Sequence, residues 1–196
     1  METLGKILGS PARVKLMRLF LLNPDKNFSL KEIALRSRVP REGVRKEVRL
    51  LASAGFLKKK PGSAPLFGLD PNFKYINEFE ELLVRADVLS NEFIIDMFKK
   101  TGKIKMLLVS GVFIKKPNSR LDLLIVGDNL KKSKVEEGVK RIEAEMGTEL
   151  VYAMFDTEEF LYRLNMYDKL MRDILDFPHE ILVRSKEMSM QTLRKP

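Results

Sequence analysis

The sequence predicts an α+β protein in two parts: a basic helical segment closed by a β-hairpin, then an α/β unit built on a mixed sheet. Charge divides at the same place. Residues 1–60 hold 15 Lys and Arg against 5 Asp and Glu, a net of +10, whereas residues 61–196 hold 21 against 22. Apolar residues up to Leu51 recur at helical spacing and give way near Gly55 to two short strand-like runs. From Lys103 the pattern changes again to strand, strand, helix, strand, helix, the order of an α/β unit.

Composition bounds the function. A chain of 196 residues accommodates one large domain or two small ones. With 44% hydrophobic and 32% charged residues it reads as globular. The absence of Cys excludes disulfides, thiolate metal sites and Cys nucleophiles, and the single His179 excludes a His pair. No Ser or Cys motif accompanies His179, which reads as a surface or packing residue. The apolar runs are too short for a bilayer span and the N-terminus shows no signal-peptide pattern, so a cytoplasmic protein is expected.

The elements follow in order. Ser10-Pro11 opens a first helix, with Ser as cap and Pro at the first position, and Val14, Leu16, Met17, Phe20 and Leu21 as its apolar stripe. It ends around Asn23-Pro24. Ser29-Leu30-Lys31-Glu32 is a capping box that starts a short helix through Ile33, Ala34 and Leu35. After a turn at Ser37-Arg38-Val39-Pro40, a third helix begins near Arg41. Val44, Val48 and Leu51 face inward and leave Arg41, Glu42, Arg45, Lys46 and Arg49 on other faces. Gly55 stops that helix. Residues 56–60 and 66–69 are two strands, joined by the turn Pro61-Gly62-Ser63-Ala64-Pro65.

Two helices joined by a short turn, the second with exposed cations near its start, meet the needs of a major-groove reader. The hairpin is then a wing, and Lys58, Lys59 and Lys60 on its first arm suit phosphate contact. Residues 10–69 resemble the winged helix-turn-helix of ArsR-type and MarR-type transcription regulators. The resemblance rests on the run from Val44 to Leu57, an apolar-spaced helix with a Gly stop and an apolar strand. Metal-sensing members carry Cys or His ligands that this chain lacks, so metal sensing is not implied.

Residues 71–102 read as connecting helices, roughly 75–89 and 92–100. The aromatic face of the first (Tyr75, Ile76, Phe79, Leu82, Leu83, Ala86) has two possible destinations, its copy in a dimer or the second domain. The second domain is expected over 103–184, with strands at 104–109, 121–126 and 149–155. A helix striped by Leu130, Val135, Val139, Ile142 and Met146 stops at Gly147. One long helix runs from the Asp156-Thr157-Glu158-Glu159 box through Asp176. Residues 185–196 read as a flexible tail.

Roughly residues 90–180 resemble the minimal nucleotidyltransferases, in which a Gly-Ser turn holds phosphate and Asp-x-Asp on the next strand holds two metals with a third carboxylate. Gly111 matches the Gly, but Val112 stands where Ser is expected. Asp122 matches the first Asp, but Leu124 stands at the second, and Glu149 falls near the third carboxylate. A lone Asp beside a strand is also an ordinary turn or cap residue. Lys115, Lys116 and Arg120 are either phosphate contacts or plain loop residues.

The sequence-based expectation is therefore a DNA-binding transcription regulator, working as a homodimer on duplex DNA without a cofactor. Its second domain would be a catalytically degenerate nucleotidyltransferase remnant (Gly111, Asp122, Glu149) with at most weak nucleotide binding. The DNA-binding set is Arg41, Arg45, Lys46, Arg49, Lys58, Lys59 and Lys60. The alternatives are an active nucleotidyltransferase that holds nucleic acid through its basic domain, and an adaptor whose winged helix binds protein.

Overall fold

A computed structural model of the chain describes residues 2–61, 64–85, 89–116 and 119–188. The protein is α+β, with helices and two sheets. It divides into two compact units, one comprising residues up to Ser90 with Lys140–Glu149, the other Asn91–Val139 with the chain from Leu150 onward. The wing-turn residues Gly62 and Ser63, the connecting-helix residue Ala86, the loop residues Pro117 and Asn118, and tail residues 189–196 lie outside the described residues.

The first unit opens with α1 (Glu2–Ile7), which the sequence reading did not anticipate, and α2 (Pro11–Leu21). The Ser10 hydroxyl accepts from the Arg13 amide at 3.2 Å, so the expected cap forms. A two-residue strand, β1 (Phe28–Ser29), leads into α3 (Leu30–Ser37). Its capping box is reciprocal: Ser29 Oγ accepts from the Glu32 amide at 3.2 Å, and Glu32 Oε2 accepts from the Ser29 amide at 2.7 Å. That backbone bond holds the Glu32 carboxyl below its ordinary pKa.

Helix α4 (Arg41–Ser53) follows after three residues and ends before Gly55, whose φ of 79° is the left-handed conformation that terminates helices. The hairpin strands are β2 (Leu57–Lys60) and β3 (Leu66–Leu69). β3 is central in a three-stranded antiparallel sheet of order β1-β3-β2, with Phe28 opposite Phe67. Val14, Leu16, Met17 and Phe20 of α2, Ile33 of α3, Val44, Val48 and Leu51 of α4, and Phe56 and Phe67 form one buried core. Each such side chain contributes about 1.5–3 kcal/mol by leaving water.

The expected helix over 75–89 is instead α5 (Ile76–Glu80) followed by a π-helical turn, Glu81–Arg85. Part of its apolar face packs within the first unit. Phe79 stacks on Phe73 at 6.0 Å, both ring edges meet Phe56, and Leu83 is buried in the first unit's own core. Residues 140–149 are fixed to α2 within the same unit. Lys15 pairs with Glu145 at 2.7 Å, and Asn23 Nδ2 donates to the carbonyls of Leu19 at 2.8 Å and Gly147 at 3.0 Å. Arg18 is buried and donates to the carbonyls of Leu83 at 2.8 Å and Glu145 at 3.2 Å. Burial pushes its guanidinium pKa down, and the Glu145 charge opposes that shift.

The second unit contains α6 (Asn91–Phe98), β4 (Lys103–Val109), β5 (Leu123–Asp128), the start of α7 (Lys132–Met146), β6 (Tyr152–Phe155), α8 (Thr157–Asn165), α9 (Lys169–Asp176) and β7 (Glu180–Arg184). Its sheet has the order β6-β5-β4-β7; β5 and β6 are parallel and the other pairs antiparallel, a mixed sheet as expected. Both faces of β4 and β5 are buried, which explains their unbroken apolar runs. One face carries Met106, Leu108, Leu124 and Val126, covered by Phe160, Met171 and Ile174 from α8 and α9.

Three expectations for this unit change. The long helix from Asp156 to Asp176 is two helices, because Tyr167 turns the chain at φ 54° and Asp168 recaps it by accepting from the Leu170 and Met171 amides at 2.8 and 3.3 Å. The strand expected from Glu149 begins only at Tyr152. Residues 185–188, assigned to the tail, are ordered beyond the unanticipated β7. The Ser185 amide donates to the Lys105 carbonyl at 2.7 Å, and Met188 is fully buried. Nearby, the buried Lys105 ammonium donates to Glu187 and lies 3.7 Å from Asp128, and the Glu187 bond raises its pKa. Among the described residues, no helix is long and apolar enough to cross a membrane.

Candidate nucleic-acid interface

Two groups of basic residues in the first unit differ in what they touch. Arg13, Lys15, Arg18 and Arg36 turn to partners: Arg13 to Glu47 at 2.9 Å, Lys15 to Glu145, Arg18 to backbone carbonyls, and Arg36 to Glu149 at 2.8 Å. Arg41, Arg45, Lys46 and Arg49 on α4 and Lys58, Lys59 and Lys60 on β2 are exposed. Among the described residues, none of these seven forms an ion pair.

Helical geometry explains the first set. Val44, Glu47, Val48 and Leu51 occupy the buried arc of α4. Arg41, Arg45 and Arg49, four residues apart, therefore run as one stripe along the outer side with Lys46 flanking it. Of the two acids on α4, Glu42 is exposed and Glu47 is buried against Arg13. The Arg13–Glu47 pair keeps one acid off the outer face. It spans 34 positions, and no local signal in the sequence marks it. Pro40 precedes α4 and makes no side-chain cap, so the first amides of the helix lack that partner.

The lysines of β2 alternate. Successive strand residues point to opposite faces, so Lys58 and Lys60 share one side and Lys59 stands on the other, opposite Phe67 in register. The three do not form a single continuous comb.

In the second unit the structure brings Gly111 and Asp122 together. Asp122 is buried; its Oδ1 accepts from the Val112 amide and its Oδ2 from the Val151 amide, each at 2.9 Å. Both carboxylate oxygens thus hold backbone, joining the turn after β4 to the start of β6. Leu124, at the position of the second Asp in the resemblance, is fully buried in the core, and Val112 is partly exposed. Glu149 belongs to the first unit, where its exposed carboxylate pairs with Arg36.

No protein-family model matches the chain, and neither does any curated protein or solved structure. The candidate site therefore stands on its own geometry.

Of the loop cations, Arg120 pairs with Asp173 at 2.9 Å, the behaviour of a structural loop residue. Lys115 takes φ 60° at the end of the short 3₁₀ turn Gly111–Ile114. His179 is half-buried, with Nδ1 2.8 Å from the Phe177 carbonyl oxygen. Among the described residues, no group of three or more His, Cys, Asp or Glu is placed to hold a metal. A cavity of about 710 Å³ lies within the first unit, between α3 and residues 140–149. Glu149 lines it, but neither Gly111 nor Asp122 does.

Proposed function

We propose that the chain is a sequence-specific regulator of transcription that binds duplex DNA through its first unit. In this reading α2, α3, α4 and the β2–β3 hairpin form a winged helix-turn-helix. α4 enters the major groove and the hairpin is the wing. The observation that carries it is the Arg41, Arg45 and Arg49 stripe, exposed and, among the described residues, without ion pairs, on a helix whose opposite face is buried. Guanidiniums in that setting are available to guanine edges, while Lys58 and Lys60 supply sequence-independent phosphate contacts.

The second unit is read as a nucleotidyltransferase-like fold that has lost its chemistry. Engagement of both Asp122 oxygens by amides and burial of Leu124 support this, since a two-metal site needs several free carboxylate oxygens converging on one point. The regulator acts as a homodimer in the cytoplasm, because one recognition helix reads only a few base pairs and two-fold symmetry doubles the site.

Selection of binding sites from a pool of random duplexes tests the reading. The expected outcome is a consensus with two-fold symmetry. Recovery of unenriched sequence at every round, with no gain in affinity over the starting pool, would reject sequence-specific binding.

A further inference from the structure

The second unit's lysines are not spread evenly. Lys99 and Lys100 lie in the turn after α6 and Lys103 opens β4, while Lys131 immediately precedes α7 and Lys132 and Lys134 lie in its first turn. The fold joins these two segments. The Lys131 amide donates to the Thr101 carbonyl at 2.7 Å, Thr101 is buried with its hydroxyl bonded to the Phe98 carbonyl at 2.7 Å, and Lys103 stands opposite Asp128 across β4 and β5. All six lysines are exposed.

Their charge is largely uncompensated. Lys99 pairs with Asp96 at 2.5 Å. Among the described residues, Lys100, Lys103, Lys131, Lys132 and Lys134 form no ion pair. Asp128, opposite Lys103, is already engaged, accepting from the Thr157 hydroxyl on one oxygen and lying 3.7 Å from Lys105 on the other. Neither segment contributes a large exposed apolar side chain. The patch therefore has no wedge to insert into lipid and no ring on which a base could stack. What remains is a cluster of ammonium groups suited to a polyanion's backbone.

We propose that this lysine patch is a second, sequence-independent contact for the phosphate backbone of duplex DNA. The inference rests on the DNA-binding reading and extends it to a surface outside the first unit. It assigns to the second unit a role in affinity and none in base choice, because ammonium groups on phosphates carry no sequence information.

The test measures the binding constant of the full chain for a random-sequence duplex across a salt series. Wild type is compared with a variant carrying Ala at positions 100, 103, 131, 132 and 134, and with an α4 variant, Arg45→Ala. The lysine variant should lose at least tenfold in affinity at low salt. Its log–log salt slope should become shallower by about 0.9 for each lysine that meets a phosphate. Base preference on a selected site should not change. The pairwise variants Lys100→Ala/Lys103→Ala and Lys131→Ala/Lys132→Ala should each give part of the loss, and they decide the matter if the fivefold variant does not fold.

An unchanged slope in variants with wild-type circular dichroism overturns the patch while leaving the α4 reading intact. Failure of wild type to bind any duplex overturns both. Binding of wild type to vesicles of anionic lipid, lost in the lysine variant while the DNA slope stays constant, would assign the patch to a membrane surface and equally overturn the proposal.

Discussion

A side chain on residue 111 and the carboxylate of Asp122 cannot occupy the same space: a Cβ on Gly111 would lie 2.0 Å from Asp122 Oδ1. Gly111 also takes φ 54°, a left-handed conformation that side chains disfavour. The two residues that most resemble a nucleotide site are thus mutually required by packing. Gly111 admits the carboxylate, and the carboxylate ties the Val112 and Val151 amides.

Removing either partner should therefore cost stability. Asp122→Ala leaves two half-buried amides without their carboxylate acceptor and is expected to lower the unfolding free energy by about 1–3 kcal/mol. Gly111→Ala should cost at least about 1 kcal/mol from backbone strain alone. Denaturant titration followed by circular dichroism measures both. Neither magnesium nor manganese should transfer labelled nucleotide to protein or RNA acceptors in wild type. Incorporation that disappears in Asp122→Ala, with the variant folded, would instead establish an active site.

The α4 stripe predicts a loss of specificity. Arg45→Ala should weaken binding to the selected site by about 1–3 kcal/mol and relax preference at one base step, with little effect on random duplex. Arg41→Ala, Lys46→Ala and Arg49→Ala, measured against the same pair of duplexes, locate the reading positions along the helix. Equal losses on selected and random DNA for all four would make α4 a backbone clamp.

Strand alternation sets the expectation for the hairpin. Replacing Lys58 and Lys60, which share one face, should make the salt slope shallower by about 1–2 units. Lys59→Ala, on the other face, should change it little. A larger change from Lys59 than from the other two would reverse the face assigned to DNA.

The Ser29–Glu32 box predicts a pH dependence with a definite sign. The bond to the Ser29 amide holds the folded-state pKa of Glu32 below its unfolded value. Its contribution is therefore present above the unfolded glutamate pKa and is lost as pH falls through the depressed folded value. Glu32→Gln should be less stable than wild type at neutral pH, and the difference should close in acid. Ser29→Ala, which removes the other half of the box, should cost about 1 kcal/mol at neutral pH. A Glu32→Gln deficit that persists unchanged in acid would count against the charged bond.

Features governed by neighbours in the chain were legible in the amino-acid sequence alone. The Ser10 and Ser29 caps, the Gly55 stop, the buried positions of α4, the hairpin arms and the mixed sheet follow from short-range hydrogen bonding and from periods of 3.6 and 2. The exposure of Arg41, Arg45, Lys46 and Arg49 belongs here too, because fixing Val44, Val48 and Leu51 inward fixes the opposite arc of the same helix. Only the tertiary structure decided the rest. β1 has two residues and exists because β3 offers it a partner, and β7 is held at the sheet edge by β4, more than 70 positions earlier. The burial of Arg18, the engagement of both Asp122 oxygens, and the meeting of Lys100 and Lys103 with Lys131, Lys132 and Lys134 are likewise decided by partners distant in sequence. Periodicity reports which side of an element is apolar and caps report where it starts. Which distant group satisfies a given charge, and so which charges remain for a partner, is set by how the elements pack.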